Sequence, residues 1–317
     1  MEQITDGYGR NFKTLRVSLL TRCNLGCVYC NADDETVHHG GSSGKLPAEN
    51  LLQHIARLHS LLELETIRLT GGEPLLYPEL VPVIQGIKEM GISEIKLTTN
   101  GFLLERWAKP MKQAGMRAIN VSLDAIDEDV FFLISKRNNV QRIINGIRAA
   151  KEAGLDVKIN SVMMKGINES QLLPLLEYAF KQDITIRFLE VMAMGHLYDS
   201  SKKYLFTRQN ILERIADRYV FDEVPRKNSA TSSYWRTEAG KVFGIIANES
   251  EPFCHDCNRL RLDSEGNIYG CLSSNHPISI LDITDKRELS TKLQEALFQK
   301  QPVRFMGSEL SMLNIGG

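Results

Sequence analysis

From Lys13 to about Glu190 the chain alternates short β-rich runs with amphipathic stretches of helical period. Apolar and polar residues alternate in runs at Thr14–Leu20, Thr66–Thr70, Glu94–Thr99, Ala118–Leu123, Asp156–Met163 and Ile184–Glu190, and these predict strands. Between them the apolar positions recur three or four residues apart. That spacing predicts helices over Ala48–Leu62, Pro78–Met90, Leu103–Ala114, Asp127–Ser135, Val140–Ala153 and Glu169–Lys181. Gly91, Gly115 and Gly154 follow helix ends, where a left-handed cap is expected. Six strand–helix units with short connections predict parallel crossovers, hence a barrel or an open α/β sheet. Six are too few for an eightfold barrel, so an incomplete barrel is expected.

Parallel strands buried on both faces read as continuous apolar runs, and these do not. Arg16 and Ser18 alternate with Leu15, Val17 and Leu19; Arg68 and Thr70 alternate with Ile67 and Leu69. Asn120, Ser122 and Asp124 alternate with Ile119, Val121 and Leu123, and Lys158 and Asn160 stand two apart. Each strand therefore has one apolar and one polar face. Either the polar face meets water, or it lines the interior of a barrel able to hold a charged ligand. Helices after nearly every strand cover the outer face, which favours the interior.

Composition narrows the class. Of 317 residues, 43% are apolar and 24% charged, which excludes a disordered chain. No apolar run approaches the ~18 residues of a membrane span. Lys and Arg number 38 against 39 Asp and Glu, so no overall field recruits nucleic acid or a membrane surface. Any anion must be held by local cations. Met1–Arg10 has no apolar core of a secretory signal, and a cytoplasmic location is expected.

All six cysteines fall into two trios, Cys23-x3-Cys27-x2-Cys30 and Cys254-x2-Cys257 with Cys271. Disulfides suit neither the expected compartment nor a chain with ample core. Zinc is an alternative for the second trio, with His255 or His276 completing it. Three thiolates on a cubic iron–sulfur cluster instead leave one iron open to a non-protein ligand. In parallel α/β folds ligands sit at the C-terminal strand ends. Here those ends read Thr21-Arg22-Cys23, Gly71-Gly72-Glu73-Pro74, Thr98-Thr99-Asn100-Gly101, Ser122-Leu123-Asp124 and Glu190-Val191-Met192.

With CxxxCxxC after the first strand and GGEP after the second, the chain resembles the radical S-adenosylmethionine (SAM) enzymes. Phe253–Leu262, reading FCHDCNRLRL, and the terminal Gly316-Gly317 are similar to the GTP 3′,8-cyclase family of molybdenum cofactor biosynthesis. The resemblance extends through Asp6–Arg10, Arg68–Pro74, Thr98–Gly101, Asn120–Asp124, Lys158–Val162 and Arg187–Met192. It implies two [4Fe–4S] clusters, one on Cys23, Cys27 and Cys30 and one on Cys254, Cys257 and Cys271. It implies SAM bound by Tyr29, Gly72, Ser122 and Met192, with Glu73 capping its amine and Pro74 fixing the turn. Arg16, Arg68, Thr99, Lys158, Arg259, Leu260 and Arg261 match the family's GTP contacts, and the double-glycine tail is implied to enter the site. The reaction implied is cyclisation of GTP to (8S)-3′,8-cyclo-7,8-dihydroguanosine 5′-triphosphate, a lyase activity. It needs an electron donor, and its product goes to cyclic pyranopterin monophosphate synthase. A homodimer is implied as well.

The chain departs from the family at Asn31-Ala32-Asp33-Asp34, where Met-Pro is common, and around Met194-Gly195-His196. Asn31–Lys45 is expected to be a mobile loop. Pattern and resemblance together give an α/β fold: an incomplete (β/α)6 TIM-type barrel over 1–205 and a smaller α+β domain over 206–317 carrying the second cluster. Two other classes stay open on the sequence, a peptide-modifying two-cluster radical SAM enzyme and a zinc-binding interaction protein.

Overall fold

A computed structural model describes residues 4–30 and 46–316. The departure at Asn31–Asp34, the loop to Lys45 and Gly317 lie outside the described residues. The expected strands form as β1 (Thr14–Ser18), β2 (Thr66–Thr70), β3 (Glu94–Thr99), β4 (Ala118–Ser122), β5 (Asp156–Met163) and β6 (Thr185–Glu190). They pair in chain order, every pair parallel. Helices α1 (Ala48–Leu62), α2 (Leu80–Glu89), α3 (Leu104–Ala114), α4 (Glu128–Ser135), α5 (Gln141–Glu152) and α6 (Leu172–Lys181) fill the connections. Asp127 starts α4 by accepting the N–H groups of Asp129 and Val130, a side-chain cap of the ordinary kind. Gly115 ends α3 in the left-handed region at φ 117°. At Glu169 the expected helix is a single 3-10 turn, and α6 begins at Leu172.

The chain continues through α7 (Ser201–Tyr204), α8 (Arg208–Ala216), β7 (Phe221–Val224), β8 (Ser233–Thr237) and β9 (Val242–Ile246). It ends with β10 (Arg259–Leu262), β11 (Asn267–Tyr269), β12 (Ile278–Ser279), α9 (Lys286–Phe298) and α10 (Met312–Ile315). These later strands extend the same sheet at both edges, in the order β12-β11-β10-β1-β2-β3-β4-β5-β6-β9-β8-β7. β10 runs parallel to β1 and β9 parallel to β6.

The apolar strand faces form the core. Leu15, Val17, Ile67, Leu69, Ile95, Leu97, Ile119, Val121, Ile159, Ile186 and Phe188 are fully buried. Leu51 and Ile55 of α1, Val83 and Ile87 of α2, Met111 of α3 and Ile147 of α5 belong to the same cluster. Each such side chain contributes roughly 1.5–3 kcal/mol on burial, so this face holds the sheet while the opposite face is free to be polar. Among the described residues no helix is long and apolar enough to cross a membrane.

Candidate active site between two cysteine trios

Cys23, Cys27 and Cys30 follow β1 and line one cavity together with Tyr29, Gly72, Ser122 and Met192. The loop carrying the thiols is fixed by its backbone: Gly26 N–H donates to Ser135 O and Val28 N–H to Ile134 O, both at 2.9 Å, at the end of α4. The glycine pair explains how the second strand end comes so close. Gly72 N–H donates to Leu20 O at 2.7 Å. A Cβ at Gly72 would stand 2.3 Å from Arg22 O, and one at Gly71, which has φ 144°, would stand 2.6 Å from Leu20 O. Only glycines let this turn lie against the backbone that leads into Cys23.

Glu73 has a different place from the expected amine cap. It is fully buried. Its Oε1 accepts Leu75 N–H and the Thr99 hydroxyl, and its Oε2 accepts Asn100 N–H at 2.8 Å. Three short donors from two elements make it an anchor between the GGEP turn and the end of β3. Burial still pushes its carboxyl up to about 7. Tyr29 donates its hydroxyl to Asp124 Oδ2 at 2.7 Å, and Val162 N–H donates to Asp124 Oδ1 at 2.8 Å. Burial also raises Cys23 to about 11 and Cys30 to about 12, and puts Cys27 well above its ordinary range. Burial thus favours the neutral thiol at all three positions, and each would release its proton on taking up metal.

Cys254, Cys257 and Cys271 line a second cavity with Arg16, Arg68, Arg259 and Arg261. Arg261, Arg16 and Arg68 stand side by side in register across β10, β1 and β2. Like charges directly opposite one another are unfavourable in a sheet. Burial, then Arg261, Arg259 and Arg68, hold the Arg16 guanidinium well below the usual arginine range. Burial first, with neighbouring arginines, also lowers Arg68 and Arg261 to about 10. Arg16 Nε is buried without a hydrogen-bond partner. A row of crowded cations with an orphaned donor is built for an anion of several charges. Cys257 differs from the other thiols. Burial raises it, but Lys300 and Arg259 outweigh that and bring it down to about 6.

The two cavities share Thr98, Asn160, Leu189, Met192 and Met312 in their walls. The two cavities thus adjoin along a common wall. The C-terminal residues reach the second of them: Arg261 Nη1 donates to the carbonyl oxygens of Gly316 and, at 3.4 Å, Ile315. A Cβ on Gly316 would stand 2.6 Å from Thr70 Cγ2 and 3.1 Å from Ser18 Cβ.

Other expected site residues lie off this second cavity. Thr99 lines the first one, with its hydroxyl on Glu73. Lys158 lines neither and stacks its ammonium 5.5 Å from the Tyr234 ring centre. Leu260 is 1% exposed and packs in the core. Three polar residues singled out by the geometry were not among the expected contacts: Asn120, Arg187 and Lys300 all line the second cavity. Arg187 was legible in principle, since it falls opposite Asn160 on the polar face and donates to Asn160 Oδ1 at 2.9 Å. Lys300 follows α9 with no periodic signal around it.

All six thiols are free of disulfides. Among the described residues no three His, Cys, Asp or Glu side chains close around one ion-sized point. Three thiols lining each cavity are the donor type that would hold an iron–sulfur cluster. The donor set fits such a cluster at each trio, with one iron left for a ligand from the cavity.

The sheet order and the glycine turn against a three-thiol loop define a radical SAM protein, and the comparisons agree. The radical SAM superfamily matches residues 17–179 and the family described as Molybdenum Cofactor Synthesis C matches residues 184–306. Among solved structures, SuiB of Streptococcus suis bound to S-adenosylmethionine shares the fold at a TM-score of 0.65 and 14% identity, over 91% of this chain and 68% of that one. The native anSMEcpe structure with bound AdoMet superimposes with a TM-score of 0.64 at 15% identity, over 92% of this chain and 82% of that one. Within that superfamily the chain belongs to the GTP 3′,8-cyclase family. The GTP 3′,8-cyclase of Nautilia profundicola is 38% identical over 85% of this chain and 83% of its own length. That of a Synechocystis species is 34% identical over 99% and 95%, respectively.

Proposed function

We infer that this chain is a lyase that cyclises GTP to (8S)-3′,8-cyclo-7,8-dihydroguanosine 5′-triphosphate in molybdenum cofactor biosynthesis, using SAM and iron–sulfur clusters. The observation that carries this reading is the row Arg261–Arg16–Arg68 beside one cysteine trio, in a cavity that shares a wall with the cavity of the other. A triphosphate on the row would direct its nucleoside toward the shared wall. When bound, the first cluster and SAM would supply a 5′-deoxyadenosyl radical to remove the ribose hydrogen at C3′ as 5′-deoxyadenosine. Bonding of C3′ to guanine C8 would leave a radical on the base, which one further electron from the electron donor and a proton would quench to the dihydro product.

This chain's residues bind and orient. Cys23, Cys27 and Cys30 would hold the first cluster, and the open backbone at Gly72 leaves space for the amino-acid end of SAM. Ser122, Tyr29 and Met192 stand on the same wall for its remaining contacts. Arg16, Arg68, Arg259 and Arg261 would take the phosphates by charge-assisted hydrogen bonds, while Lys158, Thr99 and Leu260 stand outside that cavity. Cys254, Cys257 and Cys271 would hold the second cluster, beside which the base would lie.

The incomplete (β/α)6 barrel is part of the same proposal. Arg16, Arg68, Thr98, Asn120, Asn160 and Arg187 come from six adjacent strands and line one cavity. Strands spaced about 4.8 Å apart reach a common cavity only if the sheet curls. We place the boundary between barrel and second-cluster domain at residue 205, and propose a homodimer in the cytoplasm. An electron donor and cyclic pyranopterin monophosphate synthase would be its partners.

Anaerobically reconstituted protein with SAM, a reductant and GTP is expected to yield 5′-deoxyadenosine and the cyclised nucleotide by mass spectrometry, with ATP as control. Deoxyadenosine without a cyclised nucleotide would refute the substrate while keeping the radical chemistry.

A further inference from the structure

Lys300 is 6% exposed and follows the end of α9. Its Nζ lies 3.3 Å from Cys257 Sγ and donates to Arg259 O at 2.5 Å. The same ammonium sits 5.0 Å from the centre of the Phe12 ring. A buried lysine costs its solvation and up to about 2 kcal/mol of side-chain freedom, so it is kept where it has a task. Three fixed neighbours aim this ammonium at a sulfur and prevent it from following a mobile substrate.

The first trio is treated differently. Cys23 Sγ receives Leu25 N–H at 3.5 Å and Asn100 Nδ2 at 3.7 Å, both neutral donors. Hydrogen bonds to cluster sulfurs and nearby positive charge stabilise the reduced, more negative state of a cluster. A charged donor does so more strongly than a neutral one. We propose that Lys300 is a positioning residue of the second cluster, holding Cys257 by a charge-assisted N–H···S bond and raising that cluster's reduction potential. This rests on the reading that Cys254, Cys257 and Cys271 hold a cluster, and on nothing about GTP.

The test uses the full chain with Cys23, Cys27 and Cys30 changed to Ala, so that the second cluster alone gives a signal. Iron and sulfide assembling in this parent keep the reading of the trio; their absence refutes that reading and the role of Lys300 with it. EPR-monitored redox titration then compares the parent with Lys300→Met and Lys300→Arg. The Met variant is expected to hold its cluster at a more negative potential, and the Arg variant to stay near the parent. An unchanged potential in Lys300→Met overturns the proposal, as does a shift in Lys300→Arg equal to that in Met. Weakened GTP binding with an unchanged potential also overturns it and makes Lys300 a substrate contact. If the Met variant fails to assemble a cluster, Lys300→Gln decides, since it keeps an N–H donor without the charge. A parent-like potential there removes the electrostatic role.

Discussion

Arg16 has Arg261 on one side and Arg68 on the other in strand register, and its Nε has no partner. Without an anion it is a half-buried charge, its Nε enclosed, among like charges. Removing one of several crowded like charges relieves their mutual repulsion and the cost of desolvating it. Arg16→Met is therefore expected to raise the melting temperature of the ligand-free protein. It should at the same time weaken GTP binding by roughly tenfold to a hundredfold, the value of about 1.5–3 kcal/mol for a charged hydrogen bond. Thermal scans with and without GTP check both signs; a variant less stable and unchanged in affinity would refute the row as a phosphate site. That Arg16 and Arg68 share a polar strand face was legible in the sequence from the alternation around them, whereas Arg261 entered through the family resemblance. That the three stand in lateral register was not legible, because register depends on which strand lies beside β1.

The elements of the first half were legible almost to their ends. Alternation in β1 to β6 and helical period in α1 to α6 reflect the same fact, a sheet covered on one side only. The second half was not legible in this way. β7 to β12 are two to five residues long, and nothing in Arg259–Leu262 announces that it pairs parallel with β1 across an interval of more than 200 residues. The second trio depends on such short elements meeting. Gly270, next to Cys271, lies against α9 so closely that a Cβ there would be 1.7 Å from Ala296 O. Gly270→Ala must separate α9 from the end of β11, and overpacking of this kind costs about 1–3 kcal/mol or more. The expected outcome is a lower melting temperature and a loss of iron from the second trio with the first retained. Iron content in a Gly270→Ala chain that also lacks the first trio reads this directly.

At the scale of the whole molecule, polar links tie the early helices to the late strands. One runs from His54, buried on α1, through Arg57 to Ile283 O near the far edge of the sheet. His54 Nδ1 stands 2.8 Å from Arg57 Nη2, and burial together with the Arg57 charge lowers its pKa. A histidine depressed on folding binds fewer protons than the unfolded chain between its folded pKa and about 6.5. Stability is then complete above about pH 6.5 and falls as the pH drops through that window. The urea midpoint is expected to fall between pH 7.5 and pH 5.5, with a smaller drop in His54→Gln. Equal drops in the two chains would show that this link does not carry the acid sensitivity.

The arginine row has a further consequence for turnover. Cyclisation joins ribose to base and leaves the triphosphate as it was, so on the proposed reading the cations on β10, β1 and β2 would hold product as firmly as substrate. Binding that is equal before and after the reaction captures the nucleotide without lowering the chemical barrier. Discrimination has to come from the other end of the molecule, where the purine changes shape. A site built in that way would be strong at catching its nucleotide and would have no means, in that row, of knowing when to let it go.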